Sequence, residues 1–118
     1  MIARIYYLNW DEEASNTGPA TDRFHEYGIA DRDELPDGYS QDTFADLYRE
    51  VADDVDVDGP EDAWRQWNRG SGYESSTFYE AEERSMCVGD VVEIDDRYYL
   101  AAPVGFKEID IYDEEGDG

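Results

Sequence analysis

The chain has 118 residues and a formal net charge of −23, from 32 acidic residues against 9 Lys and Arg. Such a surface repels phosphate backbones and anionic lipid, which argues against nucleic-acid binding through a basic patch and against membrane association. A hydrophobic share of 40% with 14% aromatics argues against disorder, and the length suits one domain.

Residues Ile2 to Leu8 (IARIYYL) predict a first strand, ended by Asn9 and the acids after it. Turn residues dominate from Asp11 to Asp37, with Phe24, Tyr27 and Ile29 as anchors for a short helical turn or strand. Ser40 is a helix N-cap, and Phe44, Leu47, Tyr48 and Val51 then recur at helical spacing, predicting a helix that ends near Val55. Asp46, Arg49, Glu50 and Asp53 form its outer face. Asp54 to Pro60 reads as a loop. A second helix follows from about Pro60 to Asn68, with Ala63, Trp64 and Trp67 as its apolar stripe and Gly70 and Gly72 beyond its end. An acidic linker runs from Gly72 to Glu83. Val88–Ile94, Tyr98–Ala102 and Phe106–Tyr112 predict three strands, the first two joined by a tight Asp95-Asp96 turn. The expected class is α+β: a small, mostly antiparallel sheet of about four strands, with two helices on one face. Residues 1–112 form one domain in this reading, and residues 113–118 an acidic C-terminal tail.

The charges themselves are selective. Lys107 is the only lysine, and eight scattered arginines supply the other cations. In molar salt the Debye length falls to about 3 Å, so carboxylates repel one another little and hold water. The sequence therefore points to the cytoplasm of a halophilic archaeon, with K⁺ or Na⁺ condensed around the acids. A single cysteine, Cys87, precludes an intrachain disulfide and fits a reducing compartment. The N-terminal MIARIYYLNWDEE does not read as a secretory leader, and no run approaches the ~18 apolar residues of a membrane span.

The C-terminal half carries a resemblance. Asp62-Ala63-Trp64-Arg65-Gln66-Trp67-Asn68 is followed by Arg84-Ser85-Met86-Cys87-Val88-Gly89-Asp90-Val91-Val92-Glu93-Ile94, then by Tyr98-Tyr99 and by Gly105-Phe106. Over roughly residues 60 to 110 this resembles the YodL-like domain of mobile genetic elements. The family pattern is a short helix ending near Asn, a segment like S-x-S-V-x-D-V-V, a strand with paired aromatics, then G-F. Cys87 and Gly89 stand where the family often has Ser. The resemblance implies an accessory protein of plasmids, proviruses or conjugative elements, without an enzymatic activity or functional residues to carry over. The segment also has a physical reading of its own. Gly89-Asp90 suits a turn before a buried strand, with Ser85 bonded to the backbone of that turn.

Candidate chemistry is sparse. Asp54-x-Asp56-x-Asp58-Gly59 opens like a calcium loop, but the twelfth position, where a bidentate Glu belongs, is Arg65. A solvated loop is the simpler reading. His25 and Cys87 stand far apart, and Cys87 sits in an apolar segment where a thiol behaves as a small hydrophobe. The doublets Glu12/Glu13, Asp53/Asp54 and Glu82/Glu83 read as surface acids rather than a catalytic pair, which needs a desolvated cleft. Trp64 and Trp67 read as core residues that could otherwise stack on a partner. Tyr6/Tyr7 and Tyr98/Tyr99 place one ring on each sheet face. The sequence thus favours a non-enzymatic accessory protein without cofactor or metal. It would bind an unidentified protein partner through an aromatic patch or a sheet edge. The candidate residues are Trp64, Trp67, Arg84, Ser85, Gly89, Asp90, Gly105 and Phe106. The alternative is an acidic DNA mimic that inhibits a DNA-binding or restriction protein.

Overall fold

A computed structural model describes residues 1–13 and 17–113. Of the expected tail, residues 114–118 lie outside the described residues. In chain order the elements are β1 (Ile2–Leu8), α1 (Pro19–Ile29), β2 (Gly38–Ser40), α2 (Gln41–Leu47) and β3 (Tyr48–Asp56). They continue with α3 (Pro60–Gln66), α4 (Ser76–Ala81), β4 (Val91–Ile94), β5 (Arg97–Ala101) and β6 (Phe106–Tyr112). One sheet contains six strands in the order β2-β6-β5-β4-β1-β3, rather than the expected four. Only β2 and β6 pair in parallel.

The α+β class holds, but the helices lie on both faces. Ala3, Ile5 and Tyr7 of β1 share one core with Val92, Ile94, Ala63, Trp67 and Phe78, so α3 and α4 cover that face. Leu8 and the half-buried Tyr6 share the other with Val91, Leu100, Ile109, Ala20, Tyr27, Phe44 and Leu47, so α1 and α2 cover the opposite face. The reason is in the strands. Tyr6-Tyr7-Leu8, Val91-Val92 and Leu100-Ala101 are apolar at consecutive positions, and the period-2 pleat sends such neighbours to opposite sides. A sheet with two apolar faces requires two helical layers.

The helix expected from Ser40 to Val55 is the largest correction. Its start holds: the Ser40 hydroxyl accepts the Thr43 N–H at 3.2 Å. Its end does not, because the chain turns extended at Tyr48 and becomes β3, antiparallel to β1. The stripe Phe44, Leu47, Tyr48, Val51 fits a helix, but Val55 and Val57 are buried between exposed Asp54, Asp56 and Asp58, a strand alternation. That alternation also replaces the calcium-like loop: Asp54 and Asp56 sit on β3, with Val55 between them turned into the core. Two register shifts against β1, between Ala3 and Tyr6, bend the strand.

Other elements follow local chemistry. β1 keeps its expected bounds, and Asp95 and Asp96 have φ of 53° and 66°, the conformation of a two-residue hairpin turn. Pro60 opens α3 behind Gly59, as the sequence indicates. The linker after Gly72 hides α4, whose N-cap is Ser75, its hydroxyl accepting the Phe78 N–H at 3.2 Å. α1 has glycine at its N-cap, and Glu13 caps it from outside the helix. The Glu13 carboxylate accepts the Ala20 N–H at 3.0 Å and the Thr21 N–H and hydroxyl, each at 2.7 Å. Desolvation is the largest single influence and pushes Glu13 up, but the Thr21 and Ala20 donors together outweigh it and hold its pKa below the ordinary value.

Trp67 is 0% exposed and meets Tyr7 and Phe78 edge-on, whereas Trp64 is only partly buried. Trp67→Ala is therefore expected to destabilise by about 3–5 kcal/mol, and Trp64→Ala by less than half as much. Urea unfolding of both variants in molar KCl measures this; equal losses would contradict the assignment.

Candidate functional site

The candidate residues separate into a buried charge cluster and an open groove. The cluster centres on Asp90, which is 0% exposed. Its carboxylate accepts the Leu8 N–H at 2.8 Å, the Cys87 N–H at 2.7 Å and both Arg84 Nη groups, at 2.7 and 3.0 Å. Arg84 also donates to the Leu8 and Ser85 carbonyls, and its guanidinium lies over the Tyr7 ring (4.1 Å) and Trp10 (5.0 Å). Gly89 precedes Asp90 with φ 96°, and a Cβ there would press on the Leu8 and Tyr27 side chains.

A second guanidinium extends this cluster. Arg49 of β3 donates to Asn9, Asp11 and Glu83, with the Glu83 contact at 2.7 Å. Asp11 also stands 3.4 Å from Arg84 Nε. Desolvation pushes Asp11 up, but Arg49 and Arg84 outweigh it and hold the carboxyl below its usual range. Desolvation opposes the Arg84 charge, yet Asp90 and Asp11 prevail and raise its pKa. For Asp90, burial is the leading influence and pushes the carboxyl up, against the pull of Arg84 and the two N–H donors. The Asp90 oxygens and the Nη groups of both arginines are engaged with the protein itself. The buried Arg84 and Arg49 Nε atoms make no hydrogen bond among the described residues and stand 3.4 Å from Asp11 and 4.0 Å from Glu12, respectively. The cluster serves as a lock between segments rather than an open reaction site.

A chain of hydroxyls runs beside the lock. Tyr27 bonds Tyr39, Tyr39 bonds Tyr48, and Tyr48 donates to the Gly89 carbonyl at 2.6 Å. Ser85, expected to brace the turn, instead accepts the Arg69 N–H at 2.9 Å. Burial pushes the Cys87 thiol up, away from the thiolate a nucleophile needs. His25 is exposed on α1 against Phe24, and no contact joins it to Cys87. Among the described residues, no group of three or more His, Cys, Asp or Glu is placed to hold a metal.

The groove has a volume of about 380 Å³. Trp64, Val88, Ala102, Pro103, Gly105 and Phe106 line it, together with the charged Glu61 and Arg65. Trp64 stands edge-on to Phe106 at 6.3 Å. Gly105, with φ 72°, turns the chain from β5 into β6 and brings Phe106 under α3. Three candidates thus meet here: Trp64, Gly105 and Phe106. Arg84, Gly89 and Asp90 belong to the lock, Ser85 flanks it, and Trp67 is core. Tyr6 and Tyr98 pack with Phe44 of α2 and form no exposed patch.

The sequence reading missed Arg49, Asp11 and Glu83, whose partners lie 34 and 38 residues apart along the chain. The acidic doublets held a partial signal. Glu13 caps α1, Glu12 stands 4.0 Å from Arg49 Nε, and Glu83 pairs with Arg49, so these two doublets contribute contacts within the fold. Compared with family models, curated proteins and solved structures, the chain has no significant match.

Two outcomes are expected of the lock. Asp90→Ala should destabilise by about 3–5 kcal/mol, because it strands the Arg84 charge. The double variant Arg84→Ala with Asp90→Ala should lose less than the sum of the singles; additive losses in urea unfolding would contradict the lock. Asp11, held low in the fold, stabilises above the usual carboxylate range and loses that contribution as pH falls through its folded value. Stability should therefore drop below about pH 4, with a shallower drop in Asp11→Asn; parallel profiles would contradict the assignment.

Proposed function

We propose that this chain is a non-enzymatic interaction protein of a halophilic cytoplasm, an accessory factor of a mobile element that docks a partner protein at the Trp64–Phe106 groove. The observation that carries this reading is the contrast between the groove and the rest of the surface. Exposed carboxylates stand on every helix: Asp22 and Glu26 on α1, Asp42 and Asp46 on α2, Glu61 on α3, Glu80 on α4. They also line β3 (Glu50, Asp53, Asp54, Asp56), β6 (Glu108, Asp110) and the Asp95-Asp96 turn. The groove is lined mainly by apolar residues, with one acid, Glu61, and one base, Arg65, among them. An apolar recess in an otherwise hydrated shell is where contact with another surface gains most.

Salt accounts for the shell, and the single lysine fits the same account. Lys107 does not decorate the surface: its ammonium donates to the Leu35 carbonyl at 2.6 Å and to Asp37 at 3.0 Å. No helix among the described residues is long and apolar enough to cross a membrane. The mobile-element role rests on the YodL-like pattern, of which Trp64, Gly105 and Phe106 fall in the groove. The DNA-mimic alternative calls for carboxylates gathered along one strip; their spread over both helical layers favours the first reading.

Two experiments test the proposal. The unfolding midpoint should fall steeply from molar KCl to dilute buffer, as unscreened repulsion among the acids opposes compaction; a constant midpoint would contradict the halophilic reading. Affinity capture from a halophile lysate in high salt should recover a protein with the wild type and lose it with Trp64→Ala. Equal capture by both would remove the groove from the account.

A further inference from the structure

We infer that the Trp64–Phe106 groove receives a second copy of this chain, in a two-fold dimer that forms in molar salt. This rests on the reading of the groove as a contact surface and adds the identity of the occupant. The first support is shape. Val104 is 82% exposed and stands between Pro103 and Gly105, which both line the groove. A projecting apolar side chain beside an apolar recess is self-complementary under a two-fold axis, where each copy offers its projection to the other's recess.

The second support is charge. Glu61 and Arg65 flank the groove with opposite signs, one turn apart on α3. Two copies of α3 running antiparallel across a two-fold axis bring Glu61 of each against Arg65 of the other, so both pairs match. A uniformly basic or acidic segment laid along α3 satisfies one of these residues and opposes the other. Among the described residues, the Arg65 guanidinium, itself half-exposed, meets Asp62 at 3.1 Å and the ring of Tyr73 at 5.6 Å, and Tyr73 is 66% exposed. An i,i+3 pair whose arginine is half-exposed is weak, and the exposed part of the guanidinium is open to a new partner.

Salt sets the direction of the equilibrium. Two chains of −23 repel each other in dilute buffer. In molar salt the Debye length shrinks to about 3 Å, which removes the long-range repulsion and leaves the apolar contact and the closest ion pairs. The dimer is therefore promoted by salt, whereas association driven by surface ion pairs alone would be weakened.

Sedimentation equilibrium of the intact chain, with circular dichroism to confirm folding, tests this. The wild type should dimerise in molar KCl and dissociate at the lowest salt that keeps it folded. Glu61→Arg and Arg65→Glu should each raise the dissociation constant about tenfold or more, and an equimolar mixture of the two should recover it, since every cross pair is then opposite in sign. Val104→Asp, at an exposed site, should abolish association without loss of fold. A wild type that stays monomeric in molar KCl overturns the inference, and if capture of another protein still depends on Trp64, the docking reading survives alone. A dimer indifferent to Val104→Asp, or mixed variants that fail to recover, also overturn it.

Discussion

One buried carboxylate organises this molecule. Asp90 lies out of solvent where an unpaired charge costs several kcal/mol. Its four donors come from three places: the end of β1, the turn before β4, and Arg84. Arg84 in turn is pinned between the Tyr7 and Trp10 rings. The segment from Arg84 to Asp90 therefore has one place to go. It is fastened there again by Tyr7 to the Arg84 carbonyl, by Tyr48 to the Gly89 carbonyl, and by the Met86 N–H to the Trp67 carbonyl. Those contacts connect β1, β3 and the end of α3 through one short stretch, so both helical layers take their position from it.

Charge thus works in two regimes. Inside, Arg84, Arg49, Asp11, Glu83 and Asp90 are close, directed and partly or fully shielded from water, so dissolved salt weakens them little. Outside, most carboxylates have no cation to meet and depend on screening. The same residue types therefore fasten the interior and load the exterior with repulsion. The groove differs from both, since most of its lining is apolar and its two charges, Glu61 and Arg65, are of opposite sign.

The parts legible in the sequence were those with one dominant period or one decisive cap. β1, the β4–β5 hairpin and β6 alternate or run apolar between clear turn residues, and Pro60 behind Gly59 announces α3. β3 was not legible because Phe44, Leu47, Tyr48 and Val51 satisfy a helical spacing by coincidence, while the need to pair with β1 is a tertiary demand. α4 is a single short helix inside a polar stretch, with only its Ser75 cap as a signal. β2 is three residues long, and its place beside β6 depends on Gly38, where a Cβ would collide with the Asp110 backbone. Gly89-Asp90 stood out as a turn, yet the ion pair of Arg84 with Asp11 joins residues far apart in the chain. Trp64 and Trp67 share a helix face by spacing. Only the β5–β6 turn, folded beneath α3, leaves one in a groove and the other in the core.

The most direct measurement is amide hydrogen exchange at Leu8 and Cys87, whose backbone N–H groups donate to the Asp90 carboxylate, followed by NMR in molar KCl. If the lock opens only when the whole molecule unfolds, both amides exchange as slowly as that of Val92 in the central sheet, and Asp90→Asn accelerates all three together. Exchange at Leu8 and Cys87 that is far faster than at Val92 in the wild type would mean the turn opens on its own. The Asp90 carboxylate would then be a local ornament and not the anchor of the fold.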